Sequence, residues 1–135
     1  MIVRALRGSR RIAGALTPVE TVEAGGTVMP MALSPNHLRL YAGIRSQPYR
    51  VLGFALNPLD GRLTRIATTP TEKQPRGFAI DPSGHYLLAV GQLSTSLRVY
   101  RIDTRSGALA PLGEAPVGKG ANWIEMVDFD GSNGG

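Results

Sequence analysis

The stretch MALSPNHLRLYAG (residues 31–43) returns as FAIDPSGHYLLAVG (residues 78–91), and this repetition decides the fold. In each copy a short apolar run enters a turn containing proline, and a second apolar run leaves it and ends in glycine. The turn Asp81-Pro82-Ser83-Gly84 has a physical mechanism, as has Asn57-Pro58-Leu59-Asp60-Gly61: proline presets φ and glycine accepts a positive one. Outward from these copies the register continues. RVLGFALNPLDG (50–61) matches LRVYRIDTRSG (97–107). GALTPVETV, GRLTRIATT and GALAPLGEA begin at Gly14, Gly61 and Gly107, at spacings of 47 and 46 residues. A third copy starts after Gly107 and reaches NWIEMVDF (122–129).

A period of 46–47 residues exceeds that of leucine-rich repeats and lies close to the blade length of a β-propeller; helical HEAT units have a similar period. The local pattern favours strands. The segments are short, rich in Val, Ile, Leu, Tyr and Phe, and cut by Pro, Gly, Asn and Asp, and no capped run of 3.6-residue periodicity occurs. The sequence therefore predicts an all-β partial propeller of two four-stranded antiparallel blades. Blade one, about 30–68, takes 30–34, 39–44, 51–57 and 63–68; blade two, about 76–114, takes 76–81, 86–91, 97–103 and 108–114. An orphan outer strand at 16–22 and an orphan inner strand at 122–128 belong to a third, closing blade. Residues 14–129 form this unit, 1–13 a basic N-terminal segment, and 130–135 a glycine-rich flexible tail. Propellers need about four to eight blades, so two chains sharing closing strands is one route to a ring.

Composition narrows the function classes. The chain has 135 residues and no cysteine, which removes disulfides, thiol catalysis and cysteine-bound zinc. No apolar run approaches the roughly 20 residues of a membrane span, and the first residues lack the apolar stretch of a secretory signal, so the expectation is a cytoplasmic protein with no membrane partner. The net charge of +5 is concentrated at Arg4, Arg7, Arg10 and Arg11; with aromatics at 6 % and no basic reading motif, a nucleic-acid partner is not expected. Asp128, Asp130 and Gly131 lack the far glutamate of a calcium loop, Gly118-Lys119-Gly120 lacks the frame of a phosphate loop, and no Gly-x-Ser-x-Gly elbow occurs.

Over VMPMALSPNHLRLYAGIRSQPYRVLGFALNPLDGRLT and TEKQPRGFAIDPSGHYLLAVGQLSTSLRVYRIDTRSGALAPLGEAPVGKGANW, about Gly14 to Met126, the chain resembles the seven-bladed lactonase propellers of the 6-phosphogluconolactonase type. The first stretch resembles the family's opening blade, the second its last blade and closing strand, with the junction near Thr69–Glu72 in register. The resemblance implies a truncated lactonase that hydrolyses a phosphorylated sugar lactone in the pentose phosphate branch of glucose metabolism, with no metal and no cofactor. It carries one channel element onto this chain: QPRGF at 74–78, whose Arg76 matches a channel arginine and is the candidate catalytic residue. The family's acid–base histidine and glutamate belong to central blades that this chain lacks.

Lactone hydrolysis needs a placed water, a base and a cation for the oxyanion, and a phosphorylated substrate adds the need for arginine. In an up-and-down blade the start of an inner strand shares its face with the loops joining second to third strands. Arg45, Gln47, Tyr49, Arg50 and Gln92 are thus neighbours of Arg76, and Gly120, Asn122 and Trp123 hold the equivalent place in the third unit. The substrate-binding candidates are Gln74, Arg76, Arg50, Gln92, Asn122 and Trp123. The structural alternatives are a salt bridge from Arg76 to Glu72 or Asp81, and a core or channel-wall place for Trp123. His37 and His85 fall in turns at the opposite end, and Asp60, Asp81 and Asp103 read as turn anchors. The expected partners are a sugar lactone or sugar phosphate and a second copy joined through exposed strand edges. The alternative function is an inactive propeller fragment, or a module binding a sugar phosphate or another protein.

Overall fold

Alternating side chains and frequent turn residues favour strands over helix, and the computed structural model, which describes residues 2–7 and 16–129, shows ten strands there. These are β1 (Ile2–Arg7), β2 (Leu16–Val22), β3 (Val28–Leu33), β4 (Arg39–Ile44), β5 (Arg50–Leu56), β6 (Leu63–Pro70), β7 (Pro75–Ile80), β8 (Tyr86–Gly91), β9 (Ser96–Ile102) and β10 (Leu109–Pro116). β3-β4-β5-β6 and β7-β8-β9-β10 are two four-stranded antiparallel sheets in simple up-and-down order: the two blades.

The repeat is carried by backbone hydrogen bonds. Ser34 N–H donates to Arg39 O and His37 N–H to Ser34 O; in the second blade Asp81 N–H donates to Tyr86 O and Gly84 N–H to Asp81 O. Asn57 and Asp103 anchor the next turns alike, each accepting on its carbonyl the N–H of the glycine four residues on, Gly61 or Gly107. The aspartates act as the sequence predicts. The Asp103 carboxylate takes the N–H groups of Arg105 and Ser106, and Asp60 takes that of Arg62. Asp81 takes those of His85 and Tyr86, and although burial alone would raise its pKa, bonds from Ser83, Tyr86 and His85 hold it below the usual carboxylate range. The ladders also share defects. β6 slips between its partners Gly53 and Phe54, leaving Ile66 bulged, and β10 slips between Pro111 and Gly113, leaving Leu112 bulged.

Pleating gives each blade two faces. One face of blade one presents Tyr41 and Val51 to Leu87, Ala89, Tyr100 and Ile102 of blade two, a shared core closed by Phe78, Ile80 and Leu109. The Tyr41 hydroxyl donates to Gly107 O at 2.7 Å and the Tyr100 hydroxyl to Pro70 O, at the end of β6, at 2.8 Å, so both phenols cross from one blade to the other. The opposite face of blade one, with Ala42, Ile44, Leu52 and Phe54, packs on Val22, at the end of β2, and on Ala24 just after it. Glu20 ties this layer by accepting Leu63 N–H at 2.9 Å.

Two expectations need correction. The strand at 16–22 is not alone: it pairs antiparallel with β1, which lies inside the segment 1–13 read as a basic terminus. Pairing satisfies backbone groups that a lone outer strand would leave open. Residues 122–128 form no strand, because no neighbouring strand among the described residues offers them a ladder. The tail 130–135 lies outside the described residues. No helix among those described is long and apolar enough to cross a membrane.

Candidate functional site at the inner rim

The glycine that ends each quoted repeat sets the geometry of the rim. A Cβ on Gly43 would lie 2.8 Å from Met29 O, and one on Gly91 would collide with Lys73 O. Only glycine lets the approach to the inner strand lie this close to the second strand. The approach is then pinned by matching bonds, Arg45 N–H to Thr27 O at 2.9 Å and Gln92 N–H to Gln74 O at 2.8 Å. Arg45 and Gln92 are therefore equivalent positions of successive blades, 47 residues apart. Gln74 adopts a positive φ of 48°, a strained conformation for a side-chain-bearing residue.

These constraints bring together side chains from both blades. The Gln92 Oε1 accepts Arg45 Nη2 at 2.6 Å and Arg76 Nη1 at 3.0 Å. Arg45 Nη2 also donates to Gln74 Oε1 at 3.3 Å, and its Nη1 reaches Met29 Sδ at 3.8 Å. Its Nε is buried without a hydrogen-bond partner. Two guanidiniums thus share one neutral oxygen. Like charges held this close repel, and solvent screening weakens the repulsion without removing it. No ion pair among the described residues engages either arginine. The salt bridge weighed for Arg76 does not form: Glu72 is buried against Arg98 Nε at 2.9 Å and accepts the Ser94 hydroxyl, and Asp81 is committed to its own turn.

Beside Arg76 lies a cleft of about 150 Å³, walled by Pro30 and Met31 of β3, Gly77 and Phe78 of β7, and Trp123 and Ile124. Trp123 is 79 % exposed, so it is a wall of this cleft and not core. The Asn122 backbone passes Gly77, with its carbonyl oxygen 3.1 Å from where a Cβ would stand. Of the six nominated residues the structure gathers Gln74, Arg76 and Gln92, sets Trp123 at the cleft with Asn122 alongside, and removes Arg50. The Arg50 guanidinium is occupied by Pro48 O at 2.6 Å and Gly25 O at 3.0 Å, where it fastens the loop before β3. Arg45, named only as a loop neighbour, belongs in the cluster, and its spacing from Gln92 was the available signal. The Glu72–Arg98–Glu114 network gave no sequence signal.

A larger open cleft of about 470 Å³ lies at the far end of blade two, with His85, Tyr86, Arg101 and Arg105. His37 and His85 belong to that end, His37 with a φ of 62° in the turn position that Gly84 holds in blade two. Neither reaches the rim.

The model of the family described as "Lactonase, 7-bladed beta-propeller" matches residues 50–126. A 6-phosphogluconolactonase of Yersinia pseudotuberculosis serotype O:3 (strain YPIII) is 42 % identical over 95 residues, covering 70 % of this chain and 28 % of the relative. That of Serratia proteamaculans (strain 568) is 38 % identical over the same shares. The chain thus spans just over a quarter of the length of these relatives. Among solved structures, a candidate 6-phosphogluconolactonase from Bacteroides fragilis NCTC 9343 superimposes with a TM-score of 0.81 at 28 % identity, over 88 % of this chain and 35 % of the other. A periplasmic gluconolactonase from Pseudomonas aeruginosa gives 0.71 at 25 % identity, over 84 % and 34 %. With two blades built on one repeat and a family model that matches more than half of its residues, the chain belongs to the seven-bladed β-propeller lactonase family.

Proposed function

We propose that this chain is part of a 6-phosphogluconolactonase-like hydrolase opening a phosphorylated sugar lactone in carbohydrate metabolism. The observation that carries the reading is the convergence of Arg76 and Arg45 on Gln92 at the inner rim, with no carboxylate among the described residues ion-paired to either. Hydrolysis adds water to the lactone carbonyl, passes through a tetrahedral oxyanion and breaks the ring C–O bond, yielding a hydroxy acid. In this reading Arg76 faces the developing oxyanion from the cleft, where a fixed cation is worth more than in water. The base that deprotonates water comes from outside this cluster, since both histidines stand at the far turns. Phosphorylated sugars are made where ATP is, so a cytoplasmic location accompanies this substrate class.

The test is lactone opening by the purified protein against the spontaneous rate, with Arg76→Ala as control. Acceleration that falls at least tenfold in Arg76→Ala supports the reading; a rate equal to the spontaneous one sinks it. A second reading, a non-catalytic sugar-phosphate or protein-interaction module, is favoured by the absence of a histidine or ion-paired carboxylate from the described cluster; saturable binding without turnover is its signature. For assembly we infer association of copies through strand edges, β1 being paired on one side only among the described residues. Solution mass by light scattering reads this directly: a discrete multiple of 14.4 kDa is expected, and a monomer overturns it.

A further inference from the structure

Within that reading, on which this inference rests, only Arg76 has a chemical step, and what Arg45 and Gln92 would hold is left open. We propose that Arg45 and Arg76, one from each blade, form a two-guanidinium seat for a phosphate dianion, and that Gln92 is the positioning residue that holds them together while the seat is empty. Arg45 Nη2 and Arg76 Nη1 share the Gln92 Oε1, so the two cations stand within two hydrogen-bond lengths of one another. A neutral amide oxygen only partly offsets their repulsion; a dianion with several acceptor oxygens offsets it fully and can take a fork of N–H groups from each side. The Arg45 guanidinium is held on its blade side by the Met29 sulfur and the Gln74 amide, and its Nε is buried without a partner. Gln74, in turn, is held at a positive φ by the bond from Gln92 N–H to its carbonyl. The seat adjoins the 150 Å³ cleft, so a phosphate bound there leaves room beside Arg76 for the rest of a small ligand.

The experiment is titration of the full chain with inorganic phosphate, followed by heteronuclear NMR of the arginine side chains and by calorimetry, with neutral gluconolactone as comparison. Phosphate should bind saturably and shift both arginines, while gluconolactone at equal concentration should not. Arg45→Met should weaken phosphate at least tenfold, with Arg45→Lys recovering part of the loss. Gln92→Glu puts a carboxylate between the guanidiniums; it should keep the fold, shown by an unchanged circular dichroism spectrum, and weaken phosphate at least tenfold. Phosphate affinity within twofold of the parent in either Arg45→Met or Gln92→Glu overturns the seat, as does saturable binding that leaves Arg45 unshifted. Lactone turnover is scored separately. Turnover with no phosphate binding defeats this inference alone, and phosphate binding without turnover defeats the hydrolase reading alone.

Discussion

Blade one and blade two are built from the same repeat, yet they are buried differently. Blade one is covered on both faces: Phe54, Leu52 and Ile44 are closed off by the layer at the end of β2, and Tyr41 and Val51 by blade two. Blade two is fully covered on one face, and on the other only at its rim end, where Val90 is buried beside Gly77. Leu87, Ala89 and Tyr100 face blade one and are fully buried, while Leu88, Leu97 and Val99, on the side that Tyr41 and Val51 occupy in blade one, are half-buried. Burial here is set by the neighbour and not by the residue type, because alternate side chains of one strand belong to different interfaces.

The sharpest way to break this comparison is to truncate adjacent leucines. Leu87→Ala should cost about 3 kcal/mol in urea unfolding, since it empties a closed core, and Leu88→Ala about 1 kcal/mol. Equal costs would mean that the second face of blade two is covered in solution.

The next effect comes from Tyr41, whose counterpart in blade two is Leu88. Burial pushes the Tyr41 hydroxyl up to about 12, with the Arg39 charge acting the other way. A folded pKa above the unfolded value of about 10 gives stability that is intact below pH 10 and is lost as pH rises toward 12. Tyr41→Phe should cost roughly 1–3 kcal/mol at neutral pH by stranding Gly107 O, and should flatten the alkaline loss. Tyr100, also raised by burial, leaves a residual slope. An unchanged alkaline limb would show that Tyr41 is not buried as described.

The smallest effect compares the two turns. His37 and Gly84 hold the same positive-φ position. A left-handed non-glycine residue costs about 1–2 kcal/mol and glycine adds about 0.5–1 kcal/mol of unfolded-state entropy, so His37→Gly should stabilise by about 0.5 kcal/mol. Gly84→Ala should cost about 1 kcal/mol through φ alone, because its Cβ would meet Pro35 at an ordinary 3.5 Å. Thermal unfolding of the pair checks both signs; a destabilised His37→Gly would mean that the imidazole makes a bond worth more than the strain.

What was legible in the sequence was local. Pro58, Pro82, Gly61 and Gly107 marked turns because turn chemistry is decided within four residues, and the observed blade strands begin within two residues of those expected. β1 was hidden because Arg4 and Arg7 break its apolar pattern and read as a solvated end. At the rim, Gln74 and Arg76 came from the resemblance of QPRGF to a channel motif, and Gln92 followed from blade topology, which fixes the end at which each loop emerges. The displacement of Arg50 and the entry of Arg45 did not, because they depend on how one blade sits against the next.

The bulges at Ile66 and Leu112 bear on how such chains gather. Each lies on the outermost strand of its blade, and those strands also carry Pro70 on β6 and Pro111 and Pro116 on β10. Proline offers no N–H and a bulge breaks the even spacing of donors, so neither margin can template an incoming strand of another molecule. An outer margin of this kind resists the open-ended strand stacking of cross-β fibrils, and among the described residues it leaves β1, paired on one side only, as the strand edge without these safeguards.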